Sequence, residues 1–208
     1  MPNDNKDKIF LIRLAKNHKE KRDAQEFISQ IALSRYQATP PPLPEILFIA
    51  YENGKIVGTL GFDTASKQDI LPLEKIWQFD PNKTPFPFER EMIVQYGRWT
   101  AIKPEVSRAL SYTATIFART LGKKIIMFEA KPSSARRLQT LGARAQLVPA
   151  TLLIKNIPED GRPYYSANPA PKLYMLDLME FETALTHSKL LISSIQYEFN
   201  SLYNNTSS

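Results

Sequence analysis

The chain has 208 residues, enough for one substantial domain and an appendage but hardly for two full cores. Its apolar share of 43% and charged share of 23% are those of an ordinary globular protein, and no apolar run is long enough to cross a membrane. There is no cysteine, which excludes disulfides, thiolate metal sites and a cysteine nucleophile.

The net charge of +6 is dispersed over separate patches, Lys16–Arg22, Arg119–Lys124 and Arg136–Arg144. Such patches suit an acidic carrier protein, an anionic surface or a phosphorylated ligand. With no basic tail and no aromatic-rich recognition motif, no nucleic-acid partner is expected. The first residues, MPNDNKDKIF, contain no long apolar segment of a secretory signal, so the expected compartment is the cytoplasm.

Lys8–Leu14 suits a first strand, and Ala24, Phe27, Ile28 and Ile31 mark one face of a helix over Arg22–Tyr36. The stretch Ala38–Pro44, ATPPPLP, cannot continue that helix because proline lacks the amide donor. Glu45–Tyr51 and Ile56–Phe62 read as two strands joined by Asn53-Gly54, a pair that tolerates the positive φ of a tight hairpin. Asp69–Phe79 reads as a short helix or packed loop, and Asp80–Phe88 as a proline-rich connection.

Met92–Ala145 carries the organising pattern. An apolar strand, Met92–Trp99, leads through a loop, Ala101–Glu105, into a helix, Val106–Leu121. A second strand, Lys124–Glu129, leads through Lys131-Pro132-Ser133 into a helix ending at Leu141-Gly142. A strand–helix–strand unit of this kind needs parallel strands with the helix as crossover. Gln146–Lys155 reads as β-like, Arg162–Pro171 as too rich in proline for a regular element, and Leu173–Leu178 as a last strand. From Phe181 to Leu202 the apolar residues recur at helical spacing, which predicts one long amphipathic helix packed on its own domain or on a second copy. The expected organisation is a domain over 8–180 followed by this helix over 181–203.

This order of elements resembles the GNAT-type acyl-CoA N-acyltransferase fold over residues 8–178. The stretch FIAYENGKIVGTLGF is similar to that family's second and third strands, and SSARRLQTLGARA to its helix ending in Leu-Gly-Phe. Within the superfamily, YGRWTA resembles the fourth strand of acyl-homoserine-lactone synthases and long-chain N-acyl amino acid synthases. GRPYYSANPAP is similar to a stretch of the thermostable-hemolysin family. The resemblance implies an α/β (α+β) fold with a mixed central sheet: an antiparallel N-terminal part, a splayed parallel pair and flanking helices.

It also implies acyl transfer from a coenzyme A or acyl-carrier thioester to the amino group of a small acceptor. The co-substrate is then acyl-CoA or an acyl-phosphopantetheine arm, with no tightly bound cofactor. Gln95, Tyr96, Gly97, Arg98 and Trp99 fall on the synthases' Glu-x-Ser-Arg-Phe pattern, so Arg98 matches its arginine and Gln95 replaces its glutamate. An amide is no general base, and the period of two puts Glu91 on the face of Gln95 as a substitute. Glu129, at the end of the second parallel strand, is the other candidate base. The backbone of Trp99, Thr100, Ala101 and Ile102 is the implied edge for the pantetheine amides. Ser107 and Arg108, at the start of the next helix, are the implied phosphate contacts, although Ser107 equally suits a plain helix cap. Tyr164 and Tyr165 offer a phenol to the leaving thiolate or simply bury two aromatic rings.

The segment Ile102–Arg108 holds no glycine where the family has its pyrophosphate loop, and Gln139 falls where it has a tyrosine acid. The first departure favours a carrier protein as donor. Taken together with Gln95, the two also suit an alternative, a scaffold that binds but no longer catalyses.

Overall fold

The computed structural model describes residues 10–66, 68–140, 142–187 and 195–198. The N-terminal part is an antiparallel meander of β1 (Phe10–Leu14), β2 (Ile46–Glu52) and β3 (Lys55–Thr64). The hairpin between β2 and β3 turns on Asn53 and Gly54, at φ 53° and 74°, the backbone region this two-residue turn requires. Helix α1 (His18–Tyr36) starts one turn earlier than the apolar spacing predicts. Asn17 caps it by accepting the Glu20 amide at 2.9 Å, while the Glu20 carboxylate takes the Lys16 amide and the Arg13 guanidinium, both at 2.7 Å. That first turn is charged throughout and so leaves no trace in hydrophobic periodicity.

The short strand β4 (Trp77–Phe79) leaves the main sheet, and β5 (Ile93–Ala101) returns to it beside β3. Helix α2 (Pro104–Thr120) then crosses over to β6 (Ile125–Ala130), which lies parallel to β5 as the sequence predicts. Pro104 occupies the first turn of α2, where its missing donor costs nothing. Helix α3 (Pro132–Thr140) follows. The stretch read as one β-like run divides at Val148-Pro149 into β7 (Gln146–Leu147), in the main sheet, and β8 (Ala150–Leu152), paired with β4. Arg162–Ser166, expected to be irregular, forms the short helix α4, with Pro163 in its first turn.

Strand β9 (Lys172–Asp177) runs straight into α5 (Leu178–His187), and β10 (Ile195–Glu198) pairs in parallel with β1. The C-terminal expectation is corrected here. Residues 195–198 are extended and hydrogen-bonded at the sheet edge, so the 181–203 stretch is not one helix. Its positions 188–194 and 199–203 lie outside the described residues. The main sheet has the order β10-β1-β2-β3-β5-β6-β9-β7.

Alternation along the central strands sends side chains to two cores. Val94, Tyr96, Ile126, Phe128 and Leu176 meet α2 and α5 on one face, with Phe181 and Leu185 fully buried among them. Ile93, Met127, Leu173 and Met175 meet Leu71, Leu73 and Trp77 on the other. Gln95 and Glu129 belong by register to this second face, which decides what they can touch. A third cluster, Ala24, Leu47 and Ile49, seats α1.

Helix α2 approaches β3 closely at Gly58. A Cβ there would stand 2.7 Å from Val106 Cγ1 and 2.8 Å from Leu110 Cδ1. Gly58→Ala is therefore expected to destabilise the fold by about 1–3 kcal/mol through overpacking, read as a lower urea midpoint at an unchanged slope.

Candidate active site

Strands β5 and β6 pair only from Ile93↔Ile125 to Tyr96↔Phe128. Beyond that point β5 stays with β3 as far as Ala101, while β6 stays with β9 as far as Ala130. The two parallel strands thus part company and open a cleft at their C-terminal ends.

The cause is a bulge. The β3–β5 register passes from Gly61↔Gly97 to Thr59↔Thr100, so Arg98 and Trp99 together face Leu60. Such an inserted residue bends its strand away from the neighbouring ladder. Arg98 takes it up with φ 53°, a left-handed conformation that costs a non-glycine residue on the order of 1–3 kcal/mol unless its surroundings fix it. They do. Thr59 donates its hydroxyl to the Arg98 carbonyl at 2.8 Å, and the guanidinium donates to the carbonyls of Pro41 and Pro42.

Past the bulge, Ile102 donates its N–H to the Val57 carbonyl at 3.0 Å. By the alternation of an antiparallel ladder, Ala101 then turns its N–H and C=O to the opposite edge, the one facing the cleft. Half of the Ile102 surface is exposed. The Trp99 side chain serves the interior instead. Its indole N–H donates to Ser107 Oγ at 2.9 Å, and its ring packs between Tyr96 and Phe181.

Glu129 stands where β6 diverges from β5. Its Oε2 accepts the Trp77 indole N–H at 3.1 Å and its Oε1 accepts the Tyr165 hydroxyl at 2.8 Å. Trp77 comes from β4 and Tyr165 from α4, so three separate elements converge on one carboxyl group. Burial raises the Glu129 pKa, against the lowering effect of the Trp77 and Tyr165 hydrogen bonds and the Arg98 charge. Burial also pushes the Tyr165 phenol up, with the Glu129 charge and its hydrogen bond adding to the effect. Arg98 is lowered by desolvation and supported by the charges of Glu129, Asp63 and Tyr165. Asp63 is itself raised by burial.

Around this carboxyl lies an aromatic wall. Tyr164 meets Tyr165 at 5.0 Å and Tyr36 at 5.1 Å, edge to face in both cases, and the Lys131 ammonium sits 4.8 Å over the Tyr36 ring. A recess of about 550 Å³ lined by Phe79, Pro81, Leu153 and Asn156 shares Trp77 with the cluster.

The residues anticipated from sequence fall into two groups. Arg98 and Glu129 come together at the cleft. Glu91 does not: it sits in a 3-10 turn before β5 begins, exposed, at the opposite end of the strand from the bulge. Gln95 is buried, and its Oε1 accepts the Leu73 amide at 2.8 Å, which anchors the turn Pro72–Lys75 below β4. It is a structural amide, not a base disarmed by one substitution.

Ser107 lies one turn inside α2 and caps nothing, since the cap position is Lys103. The Lys103 ammonium in turn binds both oxygens of Glu52, at 3.0 and 2.8 Å, beside the helix start. Arg108 buries its Nε with no hydrogen-bond partner among the described residues. Sequence reasoning missed Trp77 as a partner of the carboxyl, Asp63 as a charge near Arg98, and Tyr36 and Lys131 as neighbours of Tyr164. A tryptophan in an otherwise irregular stretch was the one available signal, because a buried indole N–H needs an acceptor.

Among the described residues no group of side chains is arranged to hold a metal ion, and no helix is long and apolar enough to cross a membrane. No protein-family model matches the chain, and no curated protein matches it by sequence. Solved structures do match. A CoA-dependent acyl-homoserine lactone synthase, BjaI, with SAM and isopentyl-CoA, aligns over 91% of this chain and 93% of its own, at 11% identity and a TM-score of 0.58. TofI in an apo form aligns over 85% and 95%, at 12% identity and a TM-score of 0.60. FeeM, an N-acyl amino acid synthase from uncultured soil microbes, aligns over 89% and 99%, at 12% identity and a TM-score of 0.53. The splayed β5–β6 pair, the α2 crossover and these near-complete alignments establish that the chain has the GNAT-like fold of the acyl-homoserine lactone and N-acyl amino acid synthases.

Proposed function

We propose that the protein transfers an acyl group from a thioester to the amino group of a small acceptor, with Glu129 as the general base. The observation that carries this reading is a carboxyl group with a raised pKa at the divergence of two parallel strands, beyond which β5 keeps its β3 ladder but has no pairing to β6. Acyl transfer to an amine needs those two things in one place: a proton acceptor for the ammonium and a fixed line for the thioester arm.

In this reading the pantetheine amides pair with the free edge around Ala101, which lays the thioester into the cleft. Glu129 takes the proton from the amine as its nitrogen attacks the acyl carbon. The C–S bond then breaks, and the thiolate leaves with a proton. Tyr165, whose hydroxyl donates to Glu129 Oε1, is in this reading the relay that passes a proton to sulfur and is reprotonated by Glu129. The fold's likeness to BjaI, TofI and FeeM supports the assignment to acyl transfer.

The donor fits an acyl carrier protein better than coenzyme A. At the head of α2 the Lys103 ammonium is already neutralised by Glu52, and Pro104 contributes no amide, so a pyrophosphate would find neither a free cation from Lys103 nor a glycine-rich cradle. A phosphopantetheine arm brings no pyrophosphate, and the dispersed basic patches suit an acidic carrier. Cytoplasmic location and a homodimer belong to the same reading.

Incubation with acyl-carrier and acyl-CoA donors of increasing chain length, followed by thiol release and product mass, tests the assignment. Release should depend on both chain length and amine, and no release with any thioester and amine pair would rule it out. Glu129→Gln should lower turnover by roughly 100- to 10,000-fold while the fold persists. Because the base must be ionised, the rate should rise with pH through the raised pKa of Glu129. Trp77→Phe removes a donor that favours the carboxylate, so the acid limb of the pH–rate profile should move to higher pH.

A further inference from the structure

Arg98 matches the synthases' arginine, which suits holding a carboxylate or carrier-bound group or, equally, pairing with a buried acid, yet its guanidinium is already committed to backbone. Nε donates to the carbonyl oxygens of both Pro41 and Pro42 at 3.1 Å, and Nη2 donates to Pro42 again at 2.6 Å. The acceptors belong to the segment Ala38–Pro44, a strap running from the end of α1 to β2. Prolines at 40, 41, 42 and 44 deprive the strap of amide donors, so it cannot join a sheet and its carbonyl groups need donors from elsewhere. A planar fork with several fixed N–H groups meets that need as an ammonium cannot.

The strap is fixed at two further points. The Pro44 ring fills the space that a Cβ on Gly61 would occupy, which presses the strap's end onto β3. At its other end Thr39 donates its N–H to the Asp160 carbonyl at 2.9 Å. Asp160 lies just before α4, whose Tyr165 holds Glu129 Oε1, and Tyr36 at the strap's start packs edge-on against Tyr164. A continuous run of contacts therefore leads from the bulge on β5, along the strap, into α4 and onto the carboxyl group.

We propose that Arg98 is a positioning residue for Glu129, acting through the proline strap and α4 rather than by touching substrate. This inference rests on Glu129 being the base. Arg98 fixes the strap, the strap fixes the start of α4, and α4 places the Tyr165 hydroxyl that orients the carboxyl oxygen. The same side chain stabilises its own left-handed backbone, so the bend that opens the cleft and the placement of the base share one anchor.

Two variants separate this role from substrate binding. Arg98→Lys keeps the charge near Glu129 and loses the fork, while Thr39→Pro removes the N–H to Asp160 and leaves Arg98 untouched. Each should lower kcat by about 100-fold, the scale of a small misplacement of a reacting group, with KM for thioester and amine nearly unchanged. Each should also speed amide hydrogen exchange over residues 160–166 but not over α2.

A raised acceptor KM at unchanged kcat in Arg98→Lys would assign the guanidinium to substrate and overturn the inference. Wild-type exchange over 160–166 in either variant would overturn it as well. If the wild-type protein transfers no acyl group to any amine, the base assignment fails, and the exchange measurement alone decides whether the strap links Arg98 to α4.

Discussion

Everything at the site depends on the separation of β5 from β6 after Tyr96. Four residue pairs hold the two strands together, and then each follows its outer neighbour. A flat sheet would leave no room between parallel strands only about 5 Å apart. One extra residue on β5 changes that, because a bulge bends its strand and sharpens the local twist. The energetic cost sits at a single left-handed arginine, and three kinds of contact offset it: a threonine hydroxyl, two prolyl carbonyls and the ladder to β3.

The carboxyl group at the foot of the cleft is held in tension. Burial favours its neutral form, whereas an indole N–H, a phenol and a nearby guanidinium favour the charged one. The first effect is the larger, so the group keeps a greater affinity for protons than an exposed glutamate. Its hydrogen-bond donors limit how far that goes. A base must release its proton as well as take it, and the balance between desolvation and donors sets both. The two donors come from elements of opposite kinds, a strand of the small second sheet and a five-residue helix, so neither alone fixes the carboxyl.

Much of the fold was legible because its signals are local. Asn53-Gly54 specifies a tight turn, and apolar runs on either side of a helical pattern specify a crossover. The C-terminal helix failed because apolar spacing cannot report that Ile195–Glu198 finds an open sheet edge at β1, a contact nearly two hundred residues away in sequence. Gln95 and Glu91 misled for a related reason. Period-two spacing gives the face of a strand but not where the strand begins, nor that an amide on that face meets the Leu73 backbone. Glu129 was found through its place at a strand end, and Arg98 through its match to the synthases' arginine. The partners Trp77, for Glu129, and Pro41 and Pro42, for Arg98, come from distant segments and carry no spacing signal toward them.

The open edge of β5 has a bearing on solubility. An unpaired strand edge is a template that any extended backbone can copy, and proteins that expose one invite association with their own kind. Here the uncovered length is short, bent at Arg98 and ended by Pro104, so it can bond to a flexible arm carrying one or two amides. A rival strand would need a longer and straighter run of partners. The irregularity that parts the two strands also discriminates against aggregation.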